Sequence, residues 1–138
     1  MTFDQYLEKI VIPTVNDFFK QQSSERLCFL ACVVLYHCVD YAADNVQTTP
    51  KTITDRWAEE SIEFALVDAV ANHLKHVKSR SQRQTEAGKV TRGIPLYRAV
   101  FSPDENGDLR FSLHNLYFIV RDCLRFIFSQ TDTVFNIC

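Results

Sequence analysis

The sequence predicts a mainly α-helical protein: a four-helix up-and-down bundle with a small β-hairpin before the last helix. The 138 residues include only 3 Gly and 4 Pro, too few for the many tight turns of a β-sandwich or barrel. Apolar residues make up 46% of the chain, which excludes disorder as the main state. They recur at the three- and four-residue spacing of amphipathic helices. At this length we expect a single helical domain spanning 1–138.

The first two predicted helices are joined by a short polar turn. Apolar residues at helical spacing predict a helix over 3–21. Pro13 lies inside that pattern, so we expect a kink or a break there. Ser23 or Ser24 is placed to cap a second helix, which runs to about Asp44.

The second helix is the most apolar part of the chain. Its apolar run, Leu27–Ala43, is short for a membrane span and is interrupted by His37 and Asp40. We therefore interpret it as the central helix of a globular domain, with no membrane partner. The cysteine total of five is odd, and Cys28 and Cys32 stand four apart on one helix, where a disulfide fits poorly. This number and spacing of cysteines favour a cytoplasmic protein with small buried thiols.

Turn, capping and helix-breaking residues predict the boundaries of the remaining elements. We expect a loop over 45–52, a third helix from 54 to about 78 with a re-initiation near Ser61, and a basic mobile loop over 79–93. The segment 95–111 predicts a hairpin, with strands 96–101 and 109–111 flanking Asn106-Gly107. A last amphipathic helix is predicted from about 112 to 129.

Several polar residues interrupt the apolar pattern of the second and third helices. His37 and Asp40 are three apart in the most apolar helix, so we expect at least part of this pair to be buried and to need partners. On the third helix, His73 shares a face with Ile62, Leu66 and Val70. Three further residues form a polar ridge beside that face: Asp68, Asn72 and His76.

Four hypotheses account for this polar set. The first is a structural hydrogen-bond network that fixes how two helices pair. The second is a divalent-metal site, for which the sequence supplies nitrogen and oxygen ligands and no other cofactor is indicated. The third is general acid–base catalysis by a histidine beside an aspartate, and the fourth is a site for a partner or small ligand. The metal candidates are His37, Asp40, Asp68, His73 and His76.

The segment from Asp68 to His76 contains Asn72-x-x-Lys75-His76, which resembles a stretch in various uncharacterised bacterial helical proteins. The wider architecture is similar to the HEPN family, helical bundles that include toxin and antiviral RNases. The resemblance implies an RNase-like bundle acting on RNA, with His76 and Asn72 as the catalytic candidates. Those RNases carry an Arg shortly before the His, and here no Arg lies between Trp57 and His76. The active pattern is therefore absent, which implies altered or lost chemistry.

The formal charge of −2 is unevenly distributed. Between 75 and 92 there are six basic residues against one acid, whereas the rest of the chain is acidic. Such a stretch could attract a phosphate backbone, although basic loops are more often simply solvated. The nucleic-acid candidates are Lys75, Lys78, Arg80, Arg83, Lys89 and Arg92.

The last helix and the tail are the expected self-association surface. The tail 131–138 ends in apolar residues that need a packing surface on the domain or on a neighbouring chain. We therefore expect a homodimer through the last helix and the C-terminal tail. Taken together, the sequence favours a cytoplasmic helical-bundle module with a structural polar set. An RNA-binding or RNA-processing protein and a metal-binding bundle are the alternatives.

Overall fold

A computed structural model of the chain describes residues 1–73, 99–103, 105–106 and 109–131. Within these residues the protein is mainly α-helical, with five helices when contiguous segments are joined, and an antiparallel two-stranded hairpin precedes the last helix. The mainly α-helical class and the hairpin before the last helix are confirmed, whereas the four-helix up-and-down bundle is not: the described residues form five helices. Residues 74–98, which include the predicted basic loop over 79–93, lie outside the described residues.

The first helix contains an irregularity just before its proline. Helix α1 (Phe3–Tyr6) is followed by a π-helical segment (Leu7–Val11) and by α2 (Ile12–Lys20). The Ile12 N–H donates to the Leu7 carbonyl, five residues back, so the chain carries one extra residue in this turn. Pro13 then lies in the first turn of α2, where its missing N–H is tolerated. The expected irregularity takes the form of this π-helical segment.

The second helix is divided into α3 (Glu25–Tyr36) and α4 (Cys38–Asn45) by a turn at His37. Ser24 caps α3 by accepting the Leu27 N–H at 3.1 Å. In the described part of the chain, Glu25–Asn45 is the single helix long and apolar enough to cross a membrane. Half of its most apolar window is nevertheless buried inside the protein, and a core helix passes the same test.

The predicted third helix is two helices, α5 (Pro50–Glu60) and α6 (Ile62–His73). Ser61 separates them with extended backbone angles, and its hydroxyl accepts the Phe64 N–H at 3.0 Å, which starts α6. The predicted re-initiation near Ser61 is confirmed. The predicted loop over 45–52 was too long, because Thr49 caps α5 and Pro50 occupies its first turn.

The hairpin is shorter than predicted. Strand β1 (Phe101–Pro103) pairs with β2 (Leu109–Phe111) in a register that sets Phe101 opposite Phe111. Residues 99–100, assigned to the first strand from the sequence, are helical. Glu25 ties the hairpin to α3: its carboxylate meets Arg110 at 2.7 Å and accepts the Phe111 N–H at 3.1 Å.

The core forms around α3 and α6. Helix α3 packs against α2, α6 and α7 (Leu113–Phe128), and α6 packs against α3, α5 and α7. At one end of this core Trp57 is fully buried, with ring centroids of Phe64 and Phe126 5.4 and 5.8 Å away in edge-on geometry. Helices α3 and α6 are thus apolar on most sides because other helices cover most of their surface.

Candidate functional site

His37 and Asp40 form an exposed pair, so the expectation that part of this pair is buried is wrong. The His37 Nδ1 lies 3.0 Å from Asp40 Oδ2, and their side chains are 48% and 50% exposed. The reason is helical register. At 100° per residue, His37 and Asp40 share one narrow stripe with Arg26, Leu30 and Asp44, all of which are exposed. The most apolar helix therefore does have an outer face, and an exposed pair of this kind stabilises by no more than about 1 kcal/mol.

The apolar face predicted for the third helix is correct where the structure describes it. Leu66 and Val70 of α6 are buried, and Ile62 is half-buried. Asp68 and Asn72 flank this face and are also half-buried. His73 ends α6 with its side chain outside the described residues, and His76 lies outside them altogether.

Asp68 and Asn72 are connected to each other along one turn of α6. The Asn72 Nδ2 donates to the Asp68 main-chain carbonyl at 2.8 Å and to Asp68 Oδ1 at 2.5 Å. An amide that donates to both groups is held in one orientation. This leaves the Asn72 side-chain oxygen turned away from the Asp68 carboxylate.

The side chain that meets this pair is Tyr36, the last residue of α3. Its hydroxyl lies close enough to Asn72 on α6 and to Thr54 on α5 for both side chains to affect its pKa. Burial raises the pKa of the Tyr36 phenol, the Asp68 carboxylate raises it further, and the contacts with Asn72 and Thr54 oppose that rise. We call these four residues, Tyr36, Thr54, Asp68 and Asn72, the Tyr36 network. It joins three helices through half-buried polar groups.

The exposed pair lies beside this network. Asp40 also raises the Tyr36 pKa, but less than Asp68 does. The His37 ring lies 5.4 Å from the Tyr36 ring in edge-on geometry. The neighbour of this pair, Tyr36, is the residue that lies near the polar ridge of α6. The available signal was that a tyrosine in an apolar helix carries a hydroxyl that needs a partner.

A second tyrosine, Tyr6 of the first helix, is hydrogen-bonded to α3. The Tyr6 hydroxyl donates to the Val34 carbonyl at 2.8 Å, and its ring stacks on Tyr41 with centroids 4.1 Å apart. Burial raises the pKa of this phenol, and nearby Cys38 adds to the rise. Tyr6 therefore stays protonated and acts as a donor that fixes the first helix on the second.

The described thiols are buried and are not suited to nucleophilic chemistry. Burial raises the pKa of Cys38 and Cys123, and a hydrogen bond of the Cys32 thiol to Cys28 together with burial raises the pKa of Cys32. A thiol that stays protonated is a poor nucleophile and a poor metal ligand. The interpretation of the helix cysteines as small buried side chains is confirmed. The free, fully buried cysteines are Cys28, Cys32, Cys38 and Cys123.

Among the residues that the structure describes, no three His, Cys, Asp or Glu side chains converge as a metal site would require. Of the metal candidates, the His73 side chain and His76 lie outside the described residues, so the proposed ligand set is placed only in part. The basic candidates between Lys75 and Arg92 also lie outside. On α7, Arg121 and Arg125 share the Asp122 carboxylate, at 3.1 and 3.4 Å.

One shallow groove of about 290 Å³ opens at the N-terminal half of α7. It is lined by Gln22, Leu113, His114, Tyr117 and Phe118. The lining is aromatic and neutral, and it contains none of the residues singled out from the sequence. The groove is therefore a surface feature distinct from the Tyr36 network.

The structure is that of a mainly α-helical protein with the Tyr36 network between its helices. No family model matches the chain, and neither a curated protein nor a solved structure matches it.

Proposed function

We propose that this protein is a non-catalytic helical module in which the Tyr36 network is structural and fixes how α3, α5 and α6 pair. The observation that carries the proposal is the position of the half-buried Tyr36 side chain, whose hydroxyl lies near polar side chains of two other helices. A half-buried hydroxyl favours an alignment of the helices in which polar groups face it, because burial without such groups costs free energy.

The hydrogen bonding of the network supports a structural role over a catalytic one. Asn72 is held by two bonds to Asp68. The thiols of Cys32, Cys38 and Cys123 have raised pKa values and no exposure. The groove at α7 is lined by other residues. A catalytic base needs access to a substrate proton, whereas here the Asn72 amide and the Thr54 hydroxyl are engaged by groups of their own helices.

The proposal is tested by removing single polar groups and measuring the free energy of unfolding in urea. We expect Tyr36→Phe to cost about 0.5–1.5 kcal/mol, since it deletes one hydroxyl from a half-buried site. Asn72→Ala should cost about 1–3 kcal/mol, because it removes both hydrogen bonds that the half-buried amide donates to Asp68. The matched control is Asn45→Ala, a change at an exposed asparagine in the last turn of α4. Variants of the network that are as stable as the control would overturn the structural role.

A second candidate function is RNA binding or processing, favoured by the six basic residues between Lys75 and Arg92 that follow α6. Asn72 and His76 are four residues apart in the sequence, at the start of this basic segment. The test is RNA binding as a function of salt, because contacts to phosphates weaken steeply as salt is raised. Cleavage that His76→Ala abolishes, in a variant that still folds, would support processing. Intact RNA after long incubation would exclude processing.

A further inference from the structure

The connection between β1 and β2 carries a chemically reactive dipeptide. The last residue pair of the two strands is Pro103 with Leu109, so Asn106 is the middle residue of the connection between them. Asn106 lies in a turn and is exposed. The residue that follows it is Gly107. An asparagine side chain that meets solvent water is thus followed in the chain by the residue with the least hindered backbone nitrogen.

A glycine after an asparagine favours a reaction within the chain. The backbone nitrogen of the second residue is the nucleophile, and Cγ of the asparagine is the electrophile. A side chain on the second residue shields this nitrogen, whereas glycine has no Cβ. The exposed Asn45 differs in both respects, because it lies in the last turn of α4 and precedes the β-branched Val46. Asn106 therefore combines exposure, a position outside the helices and an unshielded nucleophile.

We propose that Asn106 is a modification site, at which spontaneous deamidation through Gly107 converts it to isoaspartate and aspartate. The Gly107 nitrogen gives up its proton and bonds to Cγ of Asn106, and the Cγ–Nδ2 bond breaks, so that the amide nitrogen leaves with that proton as ammonia. Water then hydrolyses the five-membered succinimide at one of its two carbonyl groups. Opening at the main-chain carbonyl yields isoaspartate, and opening at the side-chain carbonyl yields aspartate. One water is consumed for each ammonia released, and solvent supplies it.

The isoaspartyl product changes the hairpin through its main chain. Both products add one negative charge to a chain whose formal charge is −2. Isoaspartate also inserts one carbon atom into the connection between the strands, because the peptide bond then runs through the former side chain. The length of this connection fixes the strand register, which sets Phe101 opposite Phe111. The Phe111 N–H also donates to Glu25 of α3 at 3.1 Å, so a disturbed register weakens the attachment of the hairpin to α3.

The first test is incubation of the full chain at neutral and at mildly alkaline pH, followed by peptide mapping with mass spectrometry. We expect the peptide that contains Asn106 to gain the mass difference between an amide and an acid. The gain should be faster at the higher pH, because the attacking nitrogen must lose a proton. Asn45 is the matched control within the same sample, since it is also exposed. No conversion of Asn106, or conversion of Asn45 at the same rate, would overturn the proposal.

The second test separates the added main-chain atom from the added charge. Asn106→Asp carries the same charge as isoaspartate on a main chain of normal length. We expect the Phe111 amide to exchange hydrogen faster in the isoaspartyl form, isolated by chromatography, and at the wild-type rate in Asn106→Asp. Wild-type exchange in the isoaspartyl form, or an equal increase in Asn106→Asp, would contradict the main-chain effect. Conversion of Gly107→Ala as fast as the wild type would contradict attack by an unshielded nitrogen.

Discussion

Trp57 offers a prediction in which burial and hydrogen bonding act in opposite directions. It is the one tryptophan in the chain and is fully buried. Its Nε1–H finds no hydrogen-bond acceptor among the described residues. The ring contributes packing against Phe3, Phe64 and Phe126. An unpaired buried donor costs about 1–3 kcal/mol, so the indole weakens the fold through its polar atom while it stabilises the fold through its area.

The two effects separate in a pair of substitutions. Trp57→Ala removes the ring and leaves a cavity, which should cost about 3–5 kcal/mol. Trp57→Phe keeps an aromatic ring for the edge-on contacts and deletes the unpaired N–H. The loss of volume and the relief of the donor then largely cancel, and we expect a net cost below about 1.5 kcal/mol.

The assay is urea unfolding followed by far-ultraviolet circular dichroism, since both variants lose the tryptophan fluorescence. The wild-type emission itself should be blue-shifted and should move to longer wavelength on unfolding. If Trp57→Phe proves as destabilising as Trp57→Ala, the N–H stabilises the folded protein and the reasoning about an unpaired donor fails.

Three further predictions concern the surface, the thiols and the hairpin. Asp40→Ala should change the free energy of unfolding by less than about 1 kcal/mol, because its pair with His37 is exposed; a cost of several kcal/mol would contradict this. Folded Cys38 and Cys123 stay protonated above the ordinary thiol pKa of 9.0, whereas the unfolded thiols ionise there. The contribution of these thiols to the free energy of unfolding should therefore be fully present below about pH 9 and decrease as the pH rises beyond it. The measurement is the urea midpoint against pH, and a flat profile would contradict the raised pKa values. Glu25→Gln should speed hydrogen exchange at the Phe111 amide, and unchanged exchange would mean that the carboxylate does not hold the hairpin.

The helices could be predicted because their signals are local. Each signal acts over only a few residues. The signals are the spacing of apolar side chains, the cap at Ser24, the start of a new helix at Ser61 and the turn at Asn106. The misplaced start of α5 was also local: Thr49 and Pro50 form a cap and first turn that were assigned to a loop.

Only the α6 part of the candidate site was predicted from the sequence. Asp68 and Asn72 were identified from their spacing, but their partner depends on the rotation of α3 against α6, which no short pattern encodes. His37 and Asp40 were expected inside because their helix is apolar, and a count of the outer stripe from Arg26 to Asp44 would have placed them outside. Tyr36 was missed because it was counted as apolar, although its hydroxyl lies near polar side chains of α5 and α6.

The most direct test of the central claim is a double-mutant cycle between Tyr36 and Asn72, with the free energy of unfolding measured for the wild type, Tyr36→Phe, Asn72→Ala and the double variant. If the two side chains bond across the α3–α6 contact, the cycle should give a coupling energy of about 0.5–1.5 kcal/mol. Additive effects, with a coupling energy near zero, would contradict a network that fixes how these helices pair.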